Sequence, residues 1–98
     1  MGIRGRASGF GKVISSQALT VNNATAQGLT IPALTIGALI TANTSVRFRS
    51  DDTDPTATVG HILGANSNME VFQAELSTIK LIATASDSAL FITYYSDL

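Results

Sequence analysis

The stretch Val46–Gly60, VRFRSDDTDPTATVG, decides how this chain is read. Val46 and Phe48 are apolar and alternate with Arg47 and Arg49, the period of two expected of a half-buried strand with one polar face. A turn must follow. The carboxylates of Asp51, Asp52 and Asp54 can accept hydrogen bonds from nearby backbone N–H groups, and Pro55 presets its own φ to a value that turns use. Thr58, Val59 and Ile62 then give Thr56–Leu63 the look of a short strand or extended segment, broken at Gly60. Strand, turn and strand in so short a span mark an antiparallel β protein.

Working outward, the same rhythm continues. Gly64–Asn68, GANSN, reads as a loop, and Met69, Val71 and Phe72 as the next strand with Glu70 outward. A single helical turn fits around Ala74–Ser77. Ile79, Leu81 and Ala83 form one face of a strand whose other face carries Lys80, Ile82 and Thr84. Ser86, Asp87 and Ser88 supply a tight turn into a last strand, Ala89–Tyr95. Both faces of that strand are apolar or aromatic, Phe91, Thr93 and Tyr95 against Leu90, Ile92 and Tyr94, which places it centrally or at a subunit interface.

Towards the N-terminus, Leu19 and Val21 alternate with Thr20, and Leu29 and Ile31 with Thr30, so both read as short strands separated by turns at Asn22, Asn23 and Gly28. Pro32 cannot donate to a ladder and puts its strand at an edge, bend or bulge. Ala33–Ala42 approaches helical spacing through Leu34, Ala38 and Ile40, but Thr35, Ile36, Ile40 and Thr41 are β-branched and Gly37 sits between them, which favours a strand. Short strands at regular spacing with no amphipathic helix predict an all-β, antiparallel β-sandwich, jelly-roll-like, over residues 13–98. Residues 1–12, MGIRGRASGFGK, are rich in glycine and arginine and poor in apolar anchors, and are expected to form an extended arm.

Length and charge bound what such a body can do. At 98 residues the chain has room for one modest core. Charged residues make up only 13%, against roughly 25% in a typical soluble domain. Little like-charge repulsion opposes association, so burial of apolar surface against other subunits is expected. The net charge of −1 hides an asymmetry: residues 1–46 hold Arg4, Arg6 and Lys12 with no acid, whereas residues 47–98 hold seven acids against Arg47, Arg49 and Lys80. Three basic residues support only a weak, salt-sensitive contact with nucleic acid, so protein is the expected partner of the arm. No apolar run approaches the ~20 residues of a membrane span, the N-terminus lacks the apolar core of a secretion signal, and with no cysteine there is neither disulfide nor thiolate metal site.

The chemistry-bearing residues are few. Asp51, Asp52 and Asp54 form the only carboxylate cluster; hard cations bind such oxygens, but the spacing lacks the central Gly and terminal Glu of an EF-hand loop, and a self-capped turn is the better reading. His61 is the single histidine, with no nucleophile or further ligand beside it in the sequence. The serines sit in no nucleophile-elbow pattern and the glycines in no phosphate-binding loop. No enzyme, metal site or cofactor is expected. Arg47 and Arg49 either pair with acids of a neighbouring subunit, or pair within the chain with Asp51 or Glu70, or are simply solvated. Tyr94 and Tyr95 either belong to a contact or sugar-stacking surface or pack in a core or interface.

The residues Val46, Arg47, Phe48, Arg49, Asp54–His61 (DPTATVGH), Ile82, Ala83, Ala89, Phe91 and Tyr94–Tyr95 together resemble a pattern found in small virion structural proteins of tailed bacteriophages. It runs V-R-aromatic-R, an acidic or glycine-containing turn, D-P-T-A-T-V-G-H, a loop and a strand, then a closing strand ending in Y-Y. The likeness covers about half the chain and leaves the first 45 residues outside it. It implies a non-enzymatic, all-β subunit of the capsid decoration or cement type, located on the particle surface, oligomerising with itself and binding a major capsid protein or another virion protein. Arg4, Arg6, Phe10, Arg47, Arg49, Tyr94 and Tyr95 are the expected interface residues. The alternative expectation is a tail or fibre module that recognises a glycan or host surface.

Overall fold

The computed structural model describes residues 11–97. Arg4, Arg6, Phe10 and most of the expected arm lie outside the described residues. Among the described residues seven strands and one helical turn follow in order: β1 (Lys12–Val21), β2 (Gly37–Ala42), β3 (Val46–Arg49), β4 (His61–Leu63), β5 (Asn68–Phe72), α1 (Gln73–Leu76), β6 (Lys80–Ala83) and β7 (Ser88–Ser96). They form two antiparallel sheets, β1-β7-β2-β5 and β4-β3-β6. The chain is therefore nearly all β, and the expected last strand lies inside its sheet between β1 and β2.

Register explains which side chains are buried. In the four-stranded sheet Gln17, Ile92, Ile40 and Met69 make one row, and Ser15, Tyr94, Ala38 and Val71 the next. Ile40, Ala38, Ile92 and Tyr94 are almost wholly buried. From the three-stranded sheet the rows Leu63–Val46–Ala83 and Phe48–Leu81 face them and join the same cluster. Leu76 and Ile79, at and just after α1, plug one end of it. Burying such side chains contributes roughly 1.5–3 kcal/mol each.

Four expectations need correction. Leu29–Ile31 alternates as a strand would and both apolar side chains pack on the core, yet this stretch makes no ladder: just before it Gln27 bridges to Leu81, its N–H donating to Leu81 O at 2.9 Å and its carbonyl accepting from Leu81 N–H at 2.8 Å. Thr30 N–H is turned towards the side chain of Gln17, and Pro32 has no N–H to offer. Thr56–Val59 is a tight turn, because the Thr56 hydroxyl accepts from the N–H groups of Thr58 and Val59 and so withdraws them from strand pairing. Ala33–Thr35 is likewise a turn, with Leu34 at φ 68 and the Thr35 hydroxyl donating to Pro32 O at 2.7 Å, so that the strand starts only at Gly37. Lys12, placed at the end of the arm, is the first residue of β1.

Candidate functional site

The acidic turn is explained by the register of the strand it follows. β3 and β6 pair so that Arg49 lies directly opposite Lys80, and like charges directly opposite one another are destabilising. The turn supplies a carboxylate to each cation. Arg49 donates to both oxygens of Asp51, at 3.0 and 2.6 Å, and Lys80 Nζ lies 3.5 Å from Asp54 Oδ1. Hydrogen bonding to Arg49 holds the Asp51 carboxyl below its ordinary range, and the same bond raises the guanidinium above its own. Asp51 also accepts from Thr53 N–H while Asp52 takes a left-handed conformation, φ 67, that an Asp tolerates. Among the described residues no group of three or more acidic or histidine side chains is arranged to hold a metal ion.

Arg47 has a different task. Its guanidinium donates to the carbonyls of Ala57, at 3.2 Å, and Gly60, at 2.8 Å, tying the 55–60 loop onto the outer face of the small sheet. Gly60 is required there: at φ 135 a Cβ would meet Phe48 O at 3.1 Å and Pro55 Cβ at 3.2 Å. Of the two alternatives for these arginines, pairing within the chain describes Arg49, whereas Arg47 is bound to backbone carbonyls. That clamp has no signature in the sequence, since any carbonyl would serve.

His61 is exposed, its ring 5.4 Å from that of Phe48, at the mouth of an open cavity of about 310 Å³ lined by Arg49, Ser50, Asp51, Gly60 and His61. A second open cavity, also about 310 Å³, is lined by Ser15, Ser16, Gln17, Thr30, Ile31, Pro32 and Tyr94. Tyr94 belongs to the core, and its hydroxyl donates to Gln17 Oε1 at 2.5 Å. Burial raises its pKa above the ordinary 10.0. Tyr95 is buried on the opposite side of the same sheet. Neither ring is presented as a stacking surface.

What the structure does present is the outer face of the four-stranded sheet. Its rows read Ala18–Phe91–Thr41–Asn68, Ser16–Thr93–Leu39–Glu70 and Val13–Tyr95–Gly37–Phe72. Phe91 is 54% exposed and Val13 51%. Glu70 is the only charged side chain in these rows. Tyr94 packs in the core, as the favoured reading of the two tyrosines expected; Phe91, on the opposite face of β7, is exposed, whereas Tyr95 on that same face is buried.

Comparison of the chain with known protein families, curated proteins and solved structures returns no match. Among the described residues no helix is long and apolar enough to cross a membrane.

Proposed function

We propose that this chain is a structural subunit of a tailed-phage particle, a capsid decoration or cement protein that stabilises the head through protein–protein contacts. The observation that carries the proposal is the outer face of the β1-β7-β2-β5 sheet, exposed at Phe91 and Val13 and almost free of charge. A surface of that kind favours burial against protein, and a specific contact needs roughly 1,000 Å² or more. The resemblance carried by Val46–Arg49, Asp54–His61 and the closing strand points to the particle as the setting.

The sheet order supports the finer architecture. In an eight-stranded jelly roll two four-stranded sheets are built by two Greek keys. Here one sheet is complete and the other has three strands. Gln27 bridges β6 from its free side, where the fourth strand of such a sheet would lie. Jelly rolls serve as viral capsid domains and as lectins, so this likeness is an analogy of fold and leaves the choice to the surface.

In this reading residues 1–11, with Arg4, Arg6 and Phe10, supply a second contact to the major capsid protein. Quantitative mass spectrometry of purified particles tests the proposal: a copy number matching the capsid lattice is expected, and absence from heads would sink it. The alternative, a tail or fibre module binding a glycan, draws on the polar cavity at Asp51 and His61. A glycan screen in which Asp51→Ala and His61→Ala abolish a specific signal would favour it over the cement reading.

A further inference from the structure

Each sheet ends in two edge strands, and the edges are not treated alike. β4 has only 3 residues. β6 is covered from its free side: Leu81 exchanges two backbone hydrogen bonds with Gln27, and Ala83 N–H donates to Asn22 O. β5 carries Glu70, has 5 residues and runs directly into α1. Short length, a charge and a covering segment are ways of blunting an edge. β1 carries such features only at its start, the charge of Lys12 and a bulge between Val13 and Ser15.

β1 is 10 residues long and pairs only with β7. Among the described residues no segment forms a ladder with its other side. After the bulge, Ser15–Val21 (SSQALTV) contains no charge and no proline. Every second residue of an antiparallel strand directs its N–H and C=O away from the neighbour it already has. A row of such groups is a template for another strand. Ser15, Ser16, Ala18 and Thr20 are exposed, and the 28–34 segment meets this strand at a side chain, Thr30 N–H donating to Gln17 Oε1 at 3.4 Å.

We infer that β1 pairs antiparallel with β1 of a second copy about a two-fold axis at Ala18, joining two four-stranded sheets into one continuous sheet. The occupant is a second copy because the run is self-complementary. Centred on Ala18, it sets Ser16 opposite Thr20 and Gln17 opposite Leu19, and no like charges meet. Lys12 falls beyond the paired run. The outward side chains, Ser16, Ala18 and Thr20, are small and exposed, so pairing requires no repacking. Joining the sheets also doubles the uncharged outer face that one copy offers to a particle. The inference rests on the proposed role as a self-assembling subunit, though not on where that subunit resides.

The absence of cysteine makes the test direct, since one introduced thiol reports one contact. Facing residues of an antiparallel pair have Cα atoms about 4.5–5.5 Å apart, within disulfide reach. Under mild oxidation Ala18→Cys is expected to give a covalent dimer, and Phe91→Cys, in the middle of the outer face, is not. Ala18→Lys opposes two cations across the axis. It is expected to weaken the dimer by about fivefold or more in sedimentation equilibrium with an unchanged circular-dichroism melt. Cross-linking at Phe91→Cys but not at Ala18→Cys would show face-to-face packing and overturn the edge pairing. A full chain that stays monomeric at every concentration would overturn it too. Either result leaves the cement role to be judged by particle composition, and absence from particles would sink that role while leaving β1 pairing intact.

Discussion

The two sheets expose opposite kinds of surface. On the outer face of β4-β3-β6 the cations are engaged within the chain: Arg47 on two loop carbonyls, Arg49 on Asp51 and Lys80 on Asp54. On the outer face of β1-β7-β2-β5 Glu70 is the one charge in the rows. The small sheet uses its polar residues to hold its own loop. The large sheet carries an uncharged face exposed at Phe91 and Val13 and an edge strand, β1, that among the described residues pairs only with β7. The proposed function accordingly rests on the uncharged face and not on the polar cluster.

Substitutions can break or sharpen this contrast. The largest effect is expected at the core both sheets share. Ile40→Ala, at a wholly buried position, should cost about 2–5 kcal/mol in urea unfolding. Both sheets should be lost in a single transition, and separate transitions would mean that the two faces belong to independent units. Next, Arg47→Ala leaves the Ala57 and Gly60 carbonyls without their donor and should cost about 1–3 kcal/mol. Faster proteolysis should appear within the 55–60 loop, and a change below measurement would remove the clamp from the account.

Two titrations come next in size. Burial raises the Tyr94 pKa, so this group's stabilising contribution is whole below pH 10.0 and is lost as pH rises through the folded-state value. Tyr94→Phe should flatten the alkaline limb of stability while costing about 0.5–1.5 kcal/mol at neutral pH through the lost bond to Gln17. Asp51 is shifted the other way. Its contribution is present above pH 3.8 and fades as pH falls through the lowered folded-state value. Asp51→Asn should make urea midpoints between pH 5 and 2 less steep, by a small amount because the pair is exposed. The smallest change in stability belongs to the large sheet: Phe91→Ser should alter unfolding by no more than about 0.5 kcal/mol. The same variant should nonetheless reduce binding to purified heads, and retention of full binding would show that this face is not the contact.

Strand phases were legible where one face is buried. The pattern of Val46–Arg49 and that of Ile79–Ala83 both appear in the structure as read, and so does the inner position of Ala89–Tyr95 in its sheet. Reading failed where side chains competed with the ladder, at Thr56 and Thr35, and where alternation came without a partner strand, at Leu29–Ile31. The candidate surface was less legible than the fold. Tyr94 and Phe91 differ little in their own chemistry; their fates depend on which face of β7 meets the other sheet.

Alternation, turn residues and low charge are properties of neighbours along the chain, and from them the sequence alone determined an antiparallel all-β body with a self-capped acidic turn at Val46–Gly60. Tertiary structure decided the rest. Only pairing across sheets set Arg49 against Lys80, and so turned Asp51 and Asp54 into their counter-charges. Only the sheet order made β7 interior and β1 an edge. The physical reason is that a strand's sequence specifies which side is apolar, whereas the long-range partners that cover that side, or leave an edge open, are chosen by the packing of the whole chain.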